Sequence, residues 1–429
     1  MFGFGGAMLL FRSLTKESFG TWVLFLSITS ILEVGRIGLL QNALVKYLAT
    51  REGEEAGRIT TASFVLNGIL TSLIVLLLLG FSPLVGAMFD APELATLLQV
   101  YCLTTVALIP FFQFNYIQQA NLDFRGIFWG NLVKGGILFA FILFLFLKKS
   151  EITLISLAAM QIAAALAASV VSWMFARQYS RFSRQVDWDW VNRLFRFGIF
   201  VFGTNFCTQF YKNVDKLLLG FLPGGGKAAV ALYDAAIRVT NLTDVPTASM
   251  AAMLFPQSAR RVGEGNGAIK ELYEKAVGAI LAFMLPCIFG VMVFAEWIIR
   301  IVAGEGYADA ANLLRITILF GLFMPYAVQF GTVLDSIGRP RVNFVYTLAS
   351  LALTAVLNIV FIRYFGAYGA AAGTLIAYSL TFVAMQLYLR KHLNVNPLNP
   401  FFYMVEFYRR FFTQGINGFE DKSAKVHNG

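Results

Sequence analysis

The stretch TQFYKNVDKLLLGFLPGGG, residues 208–226, decides how the chain is read. It continues a long apolar segment, yet Lys212, Asp215 and Lys216 stand within two helical turns, and Pro223 with three glycines closes it. At the surface of a soluble domain such charges meet water. At the centre of a membrane helix each cation costs ~2.5–3.5 kcal/mol on insertion scales, so it faces a cavity, a partner or a transported ion. The surroundings of the stretch separate the two cases.

Of the 429 residues 58% are hydrophobic and 14% charged, against roughly 45–50% and about 25% in soluble domains. Apolar runs of about 20 residues, enough to cross a ~30 Å hydrocarbon core, recur at 2–14, 20–45, 59–81, 97–116, 127–147, 152–175, 197–222, 230–255, 277–302, 310–334, 342–365 and 367–389. This pattern predicts an all-α polytopic membrane protein with twelve transmembrane helices. Breakers such as LPGGGK (222–227), GEGNG (263–267) and IGRPR (337–341) fall between runs.

Loop charge orients the bundle. The even-numbered loops and the tail hold twenty-one Lys and Arg, among them Arg51, Arg58, Arg184 and Arg193, and the odd loops hold six. Cytoplasmic loops retain positive charge, so both termini are expected in the cytoplasm. The net charge of +10 then reflects topology and attraction to anionic membrane lipids and gives no ground for a nucleic-acid partner. Cys102, Cys207 and Cys287 lie inside apolar runs without metal-site spacing, and the only histidines, His392 and His427, lie in the tail, so no metal site, catalytic triad or cofactor site is expected. GGGK at 224–227 lacks the spacing and Ser/Thr of a phosphate-binding loop. DWDW at 187–190 sits in a basic amphipathic loop, where headgroup anchoring explains its aromatics. No odd loop is long enough to carry the catalytic carboxylates of a membrane glycosyltransferase or polymerase, and no enzymatic activity is expected.

The chain also repeats. At an offset of 211, Trp22, Leu26, Ile28, Thr29, Ile31, Glu33 and Val34 fall on Tyr233, Ile237, Val239, Thr240, Leu242, Asp244 and Val245, and near offset 215 Pro110 falls on Pro325. Two six-helix lobes, 1–176 and 197–392, joined by a basic cytoplasmic linker 177–196, would be related by an axis along the membrane normal and enclose a central cavity. Residues 393–429 form a cytoplasmic tail whose stretch 399–412 reads as an interfacial helix, with Arg409 and Arg410 among aromatics. The first run is short: 13 residues reach about 20 Å, and 197–211 have no counterpart before it, so the first helix reads as truncated.

SLTKESFGTWVLFLSI (13–28), NVDKLLLGFL (213–222), ALYDAAIRV (231–239), LFPQSARR (254–261) and the segment from Ser336 to Leu380 containing NIVFIRYFGAYGAAAGT, in that order, resemble the polysaccharide flippases of the multidrug/oligosaccharidyl-lipid/polysaccharide exporter superfamily. The resemblance covers residues 1–392. It implies a carrier in the bacterial inner membrane that turns a polyprenyl-pyrophosphate-linked oligosaccharide from the cytoplasmic to the periplasmic leaflet, for O-antigen, capsule or exopolysaccharide, with polysaccharide polymerases as partners. A multidrug exporter of the same superfamily, coupled to H⁺ or Na⁺, is the alternative; it would want an acidic cavity.

With that substrate class, Arg36, Lys134, Lys212 and Arg238 are the expected cationic lining for the pyrophosphate, whose several charges need several donors. Asp215, Glu33 and Asp244 are the expected coupling or gating residues, with H⁺ or Na⁺ as coupling ion. On one continuous seventh helix Lys212, Asp215 and Lys216 share a side as i, i+3 and i+4, Asp215 neutralises one lysine, and one positive charge is left over. The competing reading is structural pairing of Asp215 with Lys212 or with Arg238. Glu296, Arg315 and Asp335, nearer the segment ends, are expected to reach the interface. Gly366, Gly369, Ala370, Ala371, Ala372 and Gly373 form a small-residue face suited to close helix packing.

Overall fold

A computed structural model describes residues 2–409, and all twelve expected segments are helical in it, with no strand among the described residues. The first six appear as α1 (Phe2–Ser13), α2 (Lys16–Leu48), α3 (Gly53–Met88), α4 (Pro92–Ala120), α5 (Arg125–Lys148) and α6 (Leu154–Ala176). Local chemistry sets their ends. Thr15 Oγ1 accepts the Ser18 amide at 3.2 Å and caps α2, and Thr153 caps α6 through the Ser156 amide at 3.2 Å. Pro92 opens α4, a position where the missing amide proton has no helical partner to lose.

The seventh segment departs from expectation. α7 (Trp188–Tyr211) stops, and α8 (Val214–Phe221) begins after Lys212 and Asn213. The Lys212 amide closes α7 on Thr208 O at 3.1 Å, Asn213 leaves helical geometry at φ −122°, and Asp215 falls in the first turn of α8. A carboxylate there is favoured by the partial positive charge of the helix start. The continuous helix carrying Lys212, Asp215 and Lys216 on one side is therefore corrected to two helices with the break between Lys212 and Asp215.

α9 (Lys227–Thr240) and α10 (Asp244–Arg260) share the eighth segment around a 3₁₀ turn, α11 (Asn266–Ala303) holds the ninth, and α12 (Ala310–Thr317) with α13 (Phe320–Ser336) the tenth. α14 (Pro340–Leu393) runs through the last two, broken at Gly366 with φ 54° and ψ −129°. This positive φ suits glycine and falls at the boundary expected between 365 and 367. Pro110 and Pro325, matched by the repeat, both lie inside helices, α4 and α13. Among the described residues, eight helical stretches are long and apolar enough to cross a membrane. α1, with 12 residues, is not one of them.

The helices cluster into two compact units. The first comprises residues up to Asp234 with Val302–Gly306, the second Ala235–Ile301 with the described residues from Tyr307 onward. In the first, Leu40, Leu44, Ile59, Ile117 and Leu194 form part of one buried core. α7 packs on α2 closely enough that a Cβ on Gly198 would lie 1.9 Å from Leu39 O. Gly20, the glycine of ESFG, is under the same constraint: its Cβ would lie 1.9 Å from Lys227 O. In the second, Tyr273, Val277, Phe330 and Leu389 anchor the core. There the tail returns to α11, where Glu274 accepts from the Asn396 amide at 2.8 Å and from Asn399 Nδ2 at 2.9 Å. Residues 399–409 are helical, with Phe402 71% exposed. Arg410 and the rest of the expected interfacial helix lie outside the described residues.

Candidate functional site

Five side chains, an ion pair and its three partners, tie α2, α3 and α4 together. Glu33 and Arg36, one turn apart on α2, meet at 2.5 Å. Arg36 also donates to Thr71 Oγ1 at 2.8 Å and Thr105 O at 3.0 Å. Glu33 Oε1 accepts from Tyr101 OH at 2.7 Å and Thr105 Oγ1 at 2.8 Å. The Arg36 side chain is 1% exposed, and its charge is matched by that carboxylate. Arg36, expected in the cationic lining, is thus paired within the protein, as a low dielectric favours over a bare charge.

Lys134, on α5, differs. It is half-buried, and among the described residues its ammonium has no hydrogen bond and no ion pair. Its Nζ lies 4.8 Å from the centroid of the Phe111 ring and 5.8 Å from that of Phe112, and the Arg36 guanidinium lies 5.1 Å from the same Phe112 ring. Two of the expected cations thus converge on one aromatic side chain, one neutralised and one not.

The opening stretch builds a second polar cluster between α8 and α9. Tyr233 donates to Asp215 Oδ2 at 2.5 Å, and the Lys216 amide to Asp215 Oδ1 at 2.9 Å. Lys216 Nζ pairs with Asp234 at 2.7 Å, both side chains largely buried. Lys216 therefore has its own carboxylate and leaves no surplus charge there, and among the described residues no cation stands within ion-pair distance of Asp215. Lys212 is exposed. Arg238 on α9 and Asp244 at the start of α10 are half-buried and engaged by other groups. Arg315 pairs with Glu296 at 2.9 Å, with the Glu296 side chain 76% exposed.

Sequence reading missed Tyr233, Asp234, Phe111 and Phe112. The first two carry a usable signal, since Asp215–Tyr233 and Lys216–Asp234 share a separation of 18 residues, as two helices joined by a tight turn produce. The phenylalanines carry none, among 43 in the chain. Outside the spans, Asp123 in the α4–α5 turn accepts from Arg125 Nε at 2.9 Å and Nη2 at 2.8 Å and from Tyr179 OH at 3.2 Å. The Arg125 hydrogen bonds hold its carboxyl down to about 2.

Residues 9–312 match the sequence profile of the family described as Polysaccharide biosynthesis protein. The "Probable low-salt glycan biosynthesis flippase Agl15" of Haloferax volcanii is 24% identical over 401 residues, which cover 91% of this chain and 80% of that protein. An uncharacterized membrane protein of Methanocaldococcus jannaschii is 27% identical over 233 residues, 52% of this chain and 44% of its own length. Among solved structures, an inward-facing multidrug resistance MATE transporter of the MOP superfamily superposes with a TM-score of 0.78 at 17% identity, covering 92% of this chain and 94% of that one. The lipid II flippase MurJ, in an inward closed conformation, gives 0.77 at 16%, covering 97% and 90%. At such identities the structures establish a shared fold, and the profile match extends over most of the chain. This protein belongs to the family described as Polysaccharide biosynthesis protein, and its fold is that of the MATE transporter and of MurJ.

Proposed function

We propose that this protein moves a polyprenyl-pyrophosphate-linked oligosaccharide across the cytoplasmic membrane by alternating access, without covalent catalysis or cofactor, for the assembly of a surface glycan. The observation that carries the proposal is Lys134: a half-buried ammonium in a membrane helix, set over the Phe111 and Phe112 rings and without an ion pair among the described residues. Such a charge persists where an anion takes it during the working cycle. A pyrophosphate supplies that anion and remains charged through transit. The name of the archaeal relative, a glycan biosynthesis flippase, supports the same substrate class. A bacterial inner membrane is the setting that the sequence resemblance implies.

In this reading Lys212 and Arg238 complete the cationic set, and Arg36 contributes through its pair with Glu33. Coupling to H⁺ or Na⁺ falls to Asp215, with Glu33 and Asp244 as the matched pair of the repeat. The repeat supports two six-helix halves, 1–176 and 197–392, and the loop charges support cytoplasmic termini. Membrane lipids and polysaccharide polymerases are the partners. The test is complementation of a flippase-null strain by Lys134→Ala and Lys134→Arg. Loss of surface polymer with Ala, at unchanged membrane abundance, and recovery with Arg are expected; normal polymer display with Ala removes the proposal.

A further inference from the structure

While no phosphate is bound, something must hold the Lys134 ammonium. A lysine stem is long enough to carry its tip toward water when nothing retains it. Here the tip lies instead over Phe111 and Phe112, both within the ~6 Å at which a ring face attracts a cation. Those rings are fixed from behind. Phe111 is 1% exposed and meets Phe112 at 5.4 Å and 61°, and Phe112 stacks on Tyr116 at 6.2 Å while its ring also receives Arg36. Gly130, one turn before Lys134 on α5, lets the helix approach: a Cβ there would lie 3.1 Å from Phe111 Cε2 and 2.5 Å from Ser172 Oγ.

The contrast with Arg36 on α2, which shares the Phe112 ring, gives the arrangement its sense. A carboxylate neutralises Arg36 and would compete with an incoming phosphate in kind. A ring face attracts the ammonium without neutralising it, so the full charge stays available. We infer that Phe111 and Phe112 are positioning residues for the substrate pyrophosphate, holding Lys134 charged and partly dehydrated until a phosphate oxygen takes it. This rests on the reading of Lys134 as a substrate cation.

The experiment uses the purified full chain, its lysines reductively methylated with ¹³C and Lys134→Arg used to assign the resonance. A Lys134 methyl signal shifted upfield by the ring currents is expected, returning toward the ordinary position with Phe112→Leu and staying shifted with Phe112→Tyr. In unmethylated protein, acylation of Lys134 by an amine-reactive ester should rise roughly 2- to 30-fold with Phe112→Leu, the range to which cation–π energies convert, and inorganic pyrophosphate should slow it. Polyprenyl pyrophosphate protecting at far lower concentration identifies the lipid-linked form as the source of the anion. Pyrophosphate protection with an unshifted wild-type resonance overturns the positioning role alone. A shifted resonance that neither pyrophosphate moves overturns both that role and the substrate reading beneath it.

Discussion

At the scale of single residues, burial decides what each charge is for. Removing one partner of a buried, hydrogen-bonded pair leaves the other uncompensated, typically at a cost of about 3–5 kcal/mol, whereas replacing both by apolar residues is often neutral. Arg36→Ala should therefore lower stability by about 3–5 kcal/mol, and Glu33→Leu with Arg36→Met should recover most of it; denaturant unfolding in detergent checks both. Lys134→Ala leaves no carboxylate behind, and the same measurement should find it within about 1 kcal/mol of the parent chain. Tyr233→Phe takes the phenol from buried Asp215 and should destabilise by about 1–3 kcal/mol; an unchanged unfolding midpoint would show that this hydrogen bond contributes nothing. The candidate charges themselves were legible because an ion in an apolar run is conspicuous. Their partners were not. Thr71, Tyr101 and Thr105 reach the Glu33–Arg36 pair from 35 to 72 residues away, and no local spacing marks a contact that only packing creates.

At the scale of elements, two kinds of local rule are visible in the helices. Where glycine admits a neighbouring backbone, substitution meets a carbonyl that cannot move aside. Gly20→Ala and Gly198→Ala should each lower stability by about 1–3 kcal/mol or more, while Gly203→Ala, on the same helix as Gly198 but with nothing within 4 Å of its Cβ position, should be neutral or gain up to about 1 kcal/mol from helix propensity. Thermal unfolding of the three variants tests the pattern, and equal effects at all three would contradict it. In the α4–α5 turn, Arg125 holds the Asp123 carboxyl at about 2, below the ordinary value near 3.9. A depressed folded-state value contributes stability that is present above about pH 4 and lost as the pH falls toward 2. A spin label at exposed Leu122 should accordingly gain mobility across that interval, and Asp123→Asn should show the mobile spectrum at pH 7.

At the scale of the whole molecule, the loop-charge asymmetry fixes an expected sidedness. In a background lacking Cys102, Cys207 and Cys287, cysteines placed within 83–92 and 304–309 should react with an impermeant reagent added outside intact cells. A cysteine at 184 and those in the tail should react only after permeabilisation, and external labelling at 184 would overturn the orientation. The all-helical architecture and its class followed from the sequence because spacing and composition obey one strong constraint: in hydrocarbon every backbone polar group must be satisfied within its own helix. The break at Gly366 was equally legible, since glycine there admits a positive φ. The break at Lys212–Asn213 was not, because apolar periodicity continues across it and only the turn between α7 and α8 interrupts the hydrogen-bond ladder. Thus composition and spacing by themselves determined that the chain is a helical membrane protein and which residues bear charge within its apolar runs. Only tertiary packing decided that Glu33 neutralises Arg36, that Asp234 takes Lys216 and that aromatic rings hold Lys134, because the energy of a buried charge depends on groups that the fold, and not the sequence, brings within a few ångströms.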